Sequence, residues 1–259
     1  MILFFWILIQ IISESLPISS SGHVALLQLF LNQSLQNSWV VDFLLHAPTI
    51  VILLVYFFST WWKMVFKQGF SLLLLSSFFI IIADLITFGF WILNLSSLTC
   101  VQNYFLPFGF CITALCLFFS RSVSAGKAVR WSFRDAVILG TVQGICLLPG
   151  ISRFAGTYAA GIWLGYARKD AFSLSFLIQM PLLCAALAKG MVAIAAQPEI
   201  VQNFMSWWIV LTFVIASVVS YKLFCWVAGL IEQNRLWYFA FYMMIPMFVS
   251  FWMVKDTWL

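Results

Sequence analysis

The sequence predicts an all-α polytopic membrane protein, built as an inverted-topology repeat with six transmembrane helices and two re-entrant helical hairpins. Three observations predict this fold class. Of 259 residues, 64% are hydrophobic and 8% are charged, whereas soluble domains carry about 25% charged residues. Six apolar stretches approach the roughly 20 residues that a helix needs to cross the hydrocarbon core. Two further apolar stretches are interrupted by polar and helix-breaking residues, and these two resemble each other.

Composition also bounds the function. A soluble enzyme, a disordered tail and a secreted disulfide scaffold are excluded because so few residues are charged. The net charge of +5 is spread along the chain rather than gathered in one run, so we expect no nucleic-acid partner. The six cysteines form no C-x-x-C pair, which favours buried free thiols over a zinc site.

The six uninterrupted stretches are predicted to be transmembrane helices, because each is apolar and close to the length of a membrane span. They cover residues 40–62, 70–93, 103–120, 171–196, 204–224 and 236–254.

The two interrupted stretches are predicted to be re-entrant hairpins. The first runs from Met1 to about Leu31 and is broken at residues 14–23; the second runs from about Ala136 to Leu164 and is broken at residues 148–153. The apolar pieces flanking each break have about 8–14 residues, too few to span a membrane alone. Irregular backbone at membrane depth is tolerated where it is buried in protein or lines a wet cavity.

The two hairpins also indicate an internal repeat. Gln10 precedes the segment Leu16–Gly22, and Gln143 precedes a related segment, Leu148–Arg153, at an offset of about 133 residues. We therefore predict a single membrane domain over residues 1–259, with one repeat at about 1–125 and the second at about 126–259. Each repeat has one hairpin and three spans, and this odd number of crossings gives the two repeats opposite orientations.

The basic residues predict which side is cytoplasmic. If the first hairpin enters from the outer side, four inner loops hold ten of the 13 Lys and Arg residues, as the positive-inside rule requires. Both termini are then outside, and the two hairpin tips meet near the midplane. The ten basic residues are Lys63, Lys67, Arg121, Lys127, Arg130, Arg134, Arg168, Lys169, Lys222 and Arg235.

Ionisable residues at membrane depth are functional candidates, because burying them there is costly. An arginine, a carboxylate and an imidazole among hydroxyls are suited to a phosphate group: the guanidinium binds phosphate oxygens in a bidentate way, and imidazole serves as acid or base near neutral pH. The ionisable candidates are Glu14, His23, Asp42, His46, Asp84 and Arg153, and the surrounding hydroxyl residues are Ser13, Ser15, Ser19, Ser20, Ser21, Ser152 and Thr157.

Structural interpretations of the same residues stay open. Membrane serines often bond freed backbone carbonyls or allow close helix packing. Asp42 and His46, four residues apart, could pair on one helix face, and we interpret His46 as structural. Asp84 is either a satisfied polar residue or a proton or ion site. Arg153 requires an anion, either Glu14 or a ligand, and we favour a ligand.

Residues 10–23, QIISESLPISSSGH, and residues 149–157, PGISRFAGT, resemble the two signature motifs of the undecaprenyl-diphosphate phosphatase (UppP/BacA) family. The segments DFLLHAPT at 42–49 and SLSFLIQMP at 173–181 resemble further family segments, so that the likeness covers nearly the whole chain. This sequence has Gln10 where many members have Glu, Phe154 in place of the second motif's later Ser, and Pro48 in place of a Gly.

The resemblance implies hydrolysis of undecaprenyl diphosphate to the monophosphate at the outer face of a bacterial inner membrane. This reaction recycles the lipid carrier of peptidoglycan and confers bacitracin tolerance. The substrate is thus a polyprenyl diphosphate lipid, and a homodimer is a candidate assembly.

The resemblance also implies roles for residues. Glu14 would be the acidic residue and a candidate ligand of a divalent cation, Mg²⁺ or Ca²⁺. Ser20 would be the nucleophile or its neighbour, and His23 its acid/base partner. Whether the attacking group is a serine or an activated water stays open. Arg153 would hold the diphosphate. The other expected substrate-binding residues are Gln10, Ser19, Ser21, Ser152 and Thr157.

A transporter or flippase of an anionic polyprenyl-phosphate lipid, acting without hydrolysis, is the alternative. Paired hairpins and inverted repeats are typical of transporters, and the same arginine would bind the lipid phosphate. A weaker third hypothesis is a scaffolding pseudo-enzyme.

Overall fold

The structure is a computed structural model that describes residues 2–31, 38–63, 70–97, 102–122, 126, 132–196 and 207–254, and the long elements in these ranges are all α-helices. Asp42 is among the residues whose side chains lie outside this description. The helices are α1 Ile2–Glu14, α2 Ser20–Leu31, α3 Ser38–Trp61, α4 Phe70–Ser97, α5 Gln102–Ser120, α6 Phe133–Ile145, α7 Arg153–Trp163, α8 Arg168–Leu177, α9 Met180–Ala196, α10 Trp207–Glu232 and α11 Phe239–Val254, with a 3₁₀ turn at Leu236–Tyr238 before α11.

Four segments of the described chain are long and apolar enough to cross a membrane: Leu74–Leu93, Arg168–Val192, Phe213–Glu232 and Leu236–Val254. Predicted spans 40–62 and 103–120 form α3 and α5, whose described apolar parts are shorter. Large apolar side chains on the outside of α4 and α11 are exposed, as lipid-facing helices require. The chain is therefore a multi-pass membrane protein.

The predicted span at 171–196 falls within the segment Arg168–Val192, which is long and apolar enough to cross a membrane, but two helices form it rather than one. Helix α8 ends at Leu177 and α9 begins at Met180. Pro181 explains the break, because proline has no N–H to donate and its ring crowds the carbonyl four residues earlier. The Ile178 carbonyl at the break accepts a hydrogen bond from Gln143 Nε2 at 3.1 Å.

Both interrupted stretches form two short helices joined by an irregular segment, as predicted. Residues 15–19 join α1 to α2, and residues 146–152 join α6 to α7. The two tips touch backbone to backbone, because a Cβ on Gly22 would lie 2.8 Å from the Gly150 Cα. Gly150 has φ +85°, and a Cβ there would lie 2.7 Å from the Leu106 carbonyl oxygen of α5. Only glycine fits a contact this close with this backbone angle.

Helices from one half of the chain also pack against helices from the other half. Helix α1 of the first hairpin packs on α10, and α6 of the second hairpin packs on α4. Likewise α3 packs on α9, and α5 packs on α11. Each hairpin's first helix therefore lies against a long helix from the other half of the chain.

Three of the predicted inner loops meet at one end of the bundle. Arg168 Nε donates to Asn234 Oδ1 at 3.1 Å, and Asn234 Nδ2 donates to the Arg121 carbonyl at 3.3 Å. Beside them, Lys169 Nζ lies 2.7 Å from Glu232 Oε1. Arg121, Arg168 and Lys169 thus lie on the same side as the C-terminal end of α10, which continues to Glu232, so that the predicted loop at 222–235 is helical over most of its length.

Candidate active site

A polar chamber lies where the two hairpin tips meet. Helix α1 ends at its wall, and helices α2 and α7 begin there. The hairpin chamber, as we name it, is lined by Ser13, Glu14, Leu16, Ser19, Ser20, Ser21, Ile151, Ser152, Arg153, Phe154 and Gln179. It brings together most of the predicted site residues from both halves of the sequence.

Both helices that begin at the chamber carry the same serine cap. Ser19 Oγ accepts the Gly22 N–H and Ser152 Oγ accepts the Ala155 N–H, each at 3.2 Å. A cap of this kind pairs one of the first-turn N–H groups of a helix and leaves its neighbours for another acceptor. Two helix N-termini thus direct partial positive charge and N–H donors at one place, which favours an anion.

Glu14 is the buried anion that connects three helices. Its Oε2 accepts from Gln10 Nε2 at 3.3 Å within α1. Its Oε1 lies 3.5 Å from Arg153 Nη2 of α7, and its Oε2 lies 3.6 Å from His46 Nδ1 of α3. The Oε1 atom is buried and has no hydrogen-bond partner in the described part of the chain. Glu14 therefore retains the capacity to accept a proton or another donor.

Arg153 occupies the first position of α7, with 20% of its side chain exposed. A cation is disfavoured at a helix N-terminus, because the helix dipole is positive there. The long 3.5 Å contact with Glu14 leaves donors of the guanidinium free for further acceptors. This position and this partner are both suited to binding an anion between the two helix ends.

The structure places His23 away from this pair. Its Nδ1 lies 2.9 Å from the Ser19 carbonyl oxygen and its Nε2 lies 3.0 Å from the Tyr242 hydroxyl. The ring stacks on Tyr242 and lines a second, apolar groove of about 570 Å³ between α1, α2 and α11, which adjoins the chamber at Ser13. The imidazole beside Glu14 is that of His46, which sequence reasoning interpreted as structural.

The remaining predicted residues divide between the chamber and its support. Ser20 is half-buried in the chamber, and Ser21 is exposed at its opening. Gln10 and Ser152 contribute through the bonds to Glu14 and to the α7 backbone described above. Thr157 does not line the chamber, because its hydroxyl donates to the Arg153 carbonyl at 2.7 Å and so braces the first turn of α7.

Phe154 packs mainly away from the arginine beside it. Its ring lies 4.8 Å from the ring of Phe176 and 5.4 Å from that of Phe172, centroid to centroid, and only 3% of the residue is exposed. In a membrane this packing stabilises through close contact rather than through exclusion of water. The aromatic ring thus fixes α7 against α8, where the family motif has a serine.

An apolar cavity of about 400 Å³ opens beside the chamber, and Ser21 and Arg153 line both. Its walls come mainly from α4, α9 and the second hairpin, with Lys189 and His46 as further polar groups. No sequence motif predicts a role for Lys189 or for Gln179 of the chamber. A lysine inside the apolar α9 and a glutamine two residues before Pro181 were the available signals. The other lining residues are Phe88, Trp91, Cys146, Leu147, Leu182, Leu183, Ala185, Ala186 and Gly190.

The chamber offers few ligands for a metal. Within the described residues there is no cluster of three His, Cys, Asp or Glu side chains. The buried oxygens without hydrogen bonds that line it are Glu14 Oε1 and Gln179 Oε1. Mg²⁺ is often held by one or two carboxylates together with substrate phosphates and water. The donors present fit a cation only in that shared way.

The chain is similar to known proteins over nearly its whole length. The family described as bacitracin resistance protein BacA matches residues 4–248. An undecaprenyl-diphosphatase of Treponema denticola is 29% identical over 250 residues, which are 92% of this chain and 91% of the relative. An undecaprenyl-diphosphatase of Christiangramia forsetii is 30% identical over 245 residues, 91% and 90% of the two chains. Undecaprenyl-diphosphatase 2 of Bacillus thuringiensis is 26% identical over 92% of each chain.

The family match includes both hairpins, the chamber between them and most of the surrounding helices. The chain therefore belongs to the bacitracin resistance protein BacA family.

Proposed function

We propose that this protein is an integral membrane undecaprenyl-diphosphatase, which hydrolyses undecaprenyl diphosphate to undecaprenyl phosphate and inorganic phosphate. The observation that carries the proposal is the Glu14–Arg153 pair at 3.5 Å, set where the N-termini of α2 and α7 meet. The names of the relatives support hydrolysis over transport of the lipid without hydrolysis.

The chamber itself has only about 20 Å³ of free space, so the terminal phosphate binds where the chamber meets the apolar cavity, beside Ser21 and Arg153, which line both. Arg153 holds its oxygens, and the first-turn N–H groups of α2 and α7 supply further donors. The apolar cavity beside the chamber receives the start of the isoprenoid tail. Binding energy along this path positions the phosphorus atom against the nucleophile, which is a major source of rate acceleration.

The Ser20 hydroxyl attacks the terminal phosphorus, and its proton passes to Glu14. The bond between that phosphorus and the bridging oxygen breaks, and undecaprenyl phosphate leaves. Water then hydrolyses the phosphoserine, releases phosphate and restores Ser20. Arg153 and the helix N-termini stabilise the charge that develops on the phosphate oxygens, and His46, 3.6 Å from Glu14, stabilises the carboxylate between proton transfers.

A divalent cation, Mg²⁺ or Ca²⁺, is part of the proposal. Glu14 and Gln179 would hold it together with the substrate's phosphates, and it would neutralise negative charge there.

The proposed topology has six membrane spans and two re-entrant hairpins, related as inverted repeats of about 1–125 and 126–259. The exchanged packing of α1 on α10 and α6 on α4 supports the repeat. The convergence of basic loops at one end supports a cytoplasmic side there, so that the chamber opens to the outer face of a bacterial inner membrane. Homodimer formation remains a prediction, which the mass of the purified protein in detergent tests.

The decisive experiment measures phosphate release from undecaprenyl diphosphate by purified protein, with Mg²⁺, with Ca²⁺ and with a chelator. Glu14→Gln removes the proton acceptor and the arginine's partner, and we expect release to fall at least about 100-fold. Glu232→Gln is the matched control, because that carboxylate is exposed and pairs with Lys169. Folded wild-type protein that moves the lipid between leaflets without releasing phosphate would establish the transport alternative instead.

A further inference from the structure

Asp84 lies at the centre of a membrane span. The apolar segment Leu74–Leu93 of α4 has 20 residues, so Asp84 is about 14 Å from either end at 1.5 Å per residue. A carboxylate at this depth is costly unless it is paired or neutralised. The mechanism proposed above makes no use of this residue.

Among the described residues, Asp84 has one polar partner, Gln143 of α6, whose Nε2 donates to Asp84 Oδ1 at 3.3 Å. The same amide nitrogen donates to the Ile178 carbonyl at 3.1 Å. Gln143 is completely buried. The two helices touch through backbone here, because a Cβ on Gly140 would lie 2.5 Å from the Ala83 carbonyl oxygen. The contact is therefore built into the crossing of α4 and α6.

Two acceptors at this contact have no donor. Asp84 Oδ2 and Gln143 Oε1 are both buried, and neither has a hydrogen-bond partner within the described chain. An ionised carboxylate and an amide oxygen are both acceptors, so neither can satisfy the other. A buried acceptor without a donor destabilises the fold, because it has lost its hydrogen bonds to water without replacement.

No basic side chain in the described part of the chain neutralises the Asp84 carboxylate. Among the described residues, no Lys, Arg or His lies within ion-pair distance of Asp84. The basic groups that line the neighbouring cavity are His46, Arg153 and Lys189. On α6, Arg134 and Asp135 stand in the first turn, about 12 Å or more along the helix from Gln143.

We propose that Asp84 and Gln143 form a proton-binding site inside the membrane, with Asp84 held as a neutral carboxylic acid. A carboxylic acid and a primary amide pair through two hydrogen bonds, from N–H to carboxyl oxygen and from O–H to amide oxygen. One proton on Oδ2 thus gives a donor to Gln143 Oε1 and removes the uncompensated charge. The observed bond from Nε2 to Oδ1 is the other half of this pair.

The site lies beside the cavity and is connected to the hairpin chamber. Asp84, Phe88 and Trp91 share one face of α4 by their spacing, and the latter two line the cavity. Gln143 also holds the Ile178 carbonyl, and the next residue, Gln179, lines the chamber. The Gln143 amide, which pairs with protonated Asp84, therefore also fixes the break between α8 and α9.

Infrared difference spectroscopy in H₂O and D₂O tests the proton directly, independently of any phosphatase activity. We expect the carbonyl band of a protonated carboxylic acid at neutral pH, shifted in D₂O and lost in Asp84→Asn. Glu14→Gln is the matched control and retains the band. Absence of the band in wild type, or its persistence in Asp84→Asn, overturns the proposal.

Unfolding temperature provides a second measurement. Asp84→Asn places an N–H where the acid has its O–H, so we expect an unfolding temperature within about 2 °C of wild type. Asp84→Leu leaves both polar atoms of the Gln143 amide without this partner, and we expect a fall of about 4 °C or more. Stabilisation of wild type by Na⁺ or Li⁺ that vanishes in Asp84→Asn would instead assign the site to a metal cation.

Discussion

The two hairpin tips share the same helix cap and differ in charge. Ser19 and Ser152 cap α2 and α7 with the same hydrogen bond, to the N–H three residues on, and their carbonyls accept from His23 and Gly156 at the start of each helix. The first tip presents Glu14, whereas the second presents Arg153. The repeated helix caps thus leave N–H donors at both tips. The side chains that differ between the tips place the Glu14 carboxylate on one side of the chamber and the Arg153 guanidinium on the other.

The tips also differ in how their backbones turn. In the first tip Ser19 adopts a left-handed conformation with φ 64°, which costs a non-glycine residue about 1 kcal/mol or more. In the second tip Gly150 adopts φ +85° without that cost. The cap hydrogen bond of Ser19 therefore stabilises the strained backbone of the first tip. The second tip requires Gly150 for its contact with α5.

Arg153→Ala gives the largest expected effect, because it removes the guanidinium from the chamber and leaves the Glu14 carboxylate without it. We expect phosphate release to fall about 1,000-fold, the size of loss typical when a preorganised charge-stabilising donor is removed. Arg153→Lys should lie between, since lysine keeps the charge but loses the bidentate fork. Arg168→Ala is the control, because Arg168 bonds Asn234 outside the chamber. Normal turnover in Arg153→Ala would remove the basis for the proposed site.

Variants of His23 and His46 test which histidine takes part in the reaction, the one in the sequence motif or the one beside Glu14. We expect His46→Ala to reduce turnover by up to about 100-fold, because it removes the imidazole that stabilises the Glu14 carboxylate, the proposed proton acceptor. His23→Ala should reduce it less than about fivefold, since this ring bonds Tyr242 beside a different groove. The reverse order, measured as kcat on purified variants of equal stability, would restore His23 as the acid/base partner implied by the family resemblance.

Gly150→Ala tests the glycine that the second tip requires. An added Cβ would meet the Leu106 carbonyl oxygen at 2.7 Å and would face a positive φ, so we expect about 2–4 kcal/mol of destabilisation. Gly89→Ala is the matched control, because nothing lies within 4 Å of a Cβ there and alanine favours a helix. A thermal unfolding series in detergent should place the two variants on opposite sides of wild type.

The sequence could predict the hairpins because their breaks are local. Leu148-Pro149-Gly150 interrupts an apolar run by itself, and the related segment at Leu16-Pro17 identifies the partner tip. The approach of Glu14 to Arg153 followed from the repeat, since related tips from opposite sides meet. The four segments that can span the membrane were likewise evident from length and hydropathy alone.

The position of His46 beside Glu14 could not be predicted, because it depends on helix rotation. His23 follows the serines closely in sequence, yet one turn of α2 carries its ring to the Ser19 carbonyl and to Tyr242, far along the chain. His46 reaches Glu14 only through the packing of α3 on α1. The break between α8 and α9 was missed for a different reason: Pro181 lies inside a run apolar enough to pass as one helix.

Lys189→Ala gives the smallest expected effect and asks whether the cavity is the path of the lipid headgroup. Lys189 is exposed on α9 and shares the cavity wall with Arg153, so a diphosphate that enters there passes a cation before it reaches the chamber. An exposed charge of this kind contributes about 1 kcal/mol or less, and we expect KM to rise about threefold to fivefold with kcat unchanged. Added salt should reduce the difference between variant and wild type, because screening weakens attraction between exposed charges.

Lys169→Ala controls for loss of a lysine, since Lys169 pairs with Glu232 at the opposite end of the bundle, outside the cavity. A fall in kcat with constant KM would place Lys189 in the chemistry, whereas no change in either constant would mean that the headgroup reaches Arg153 by another route.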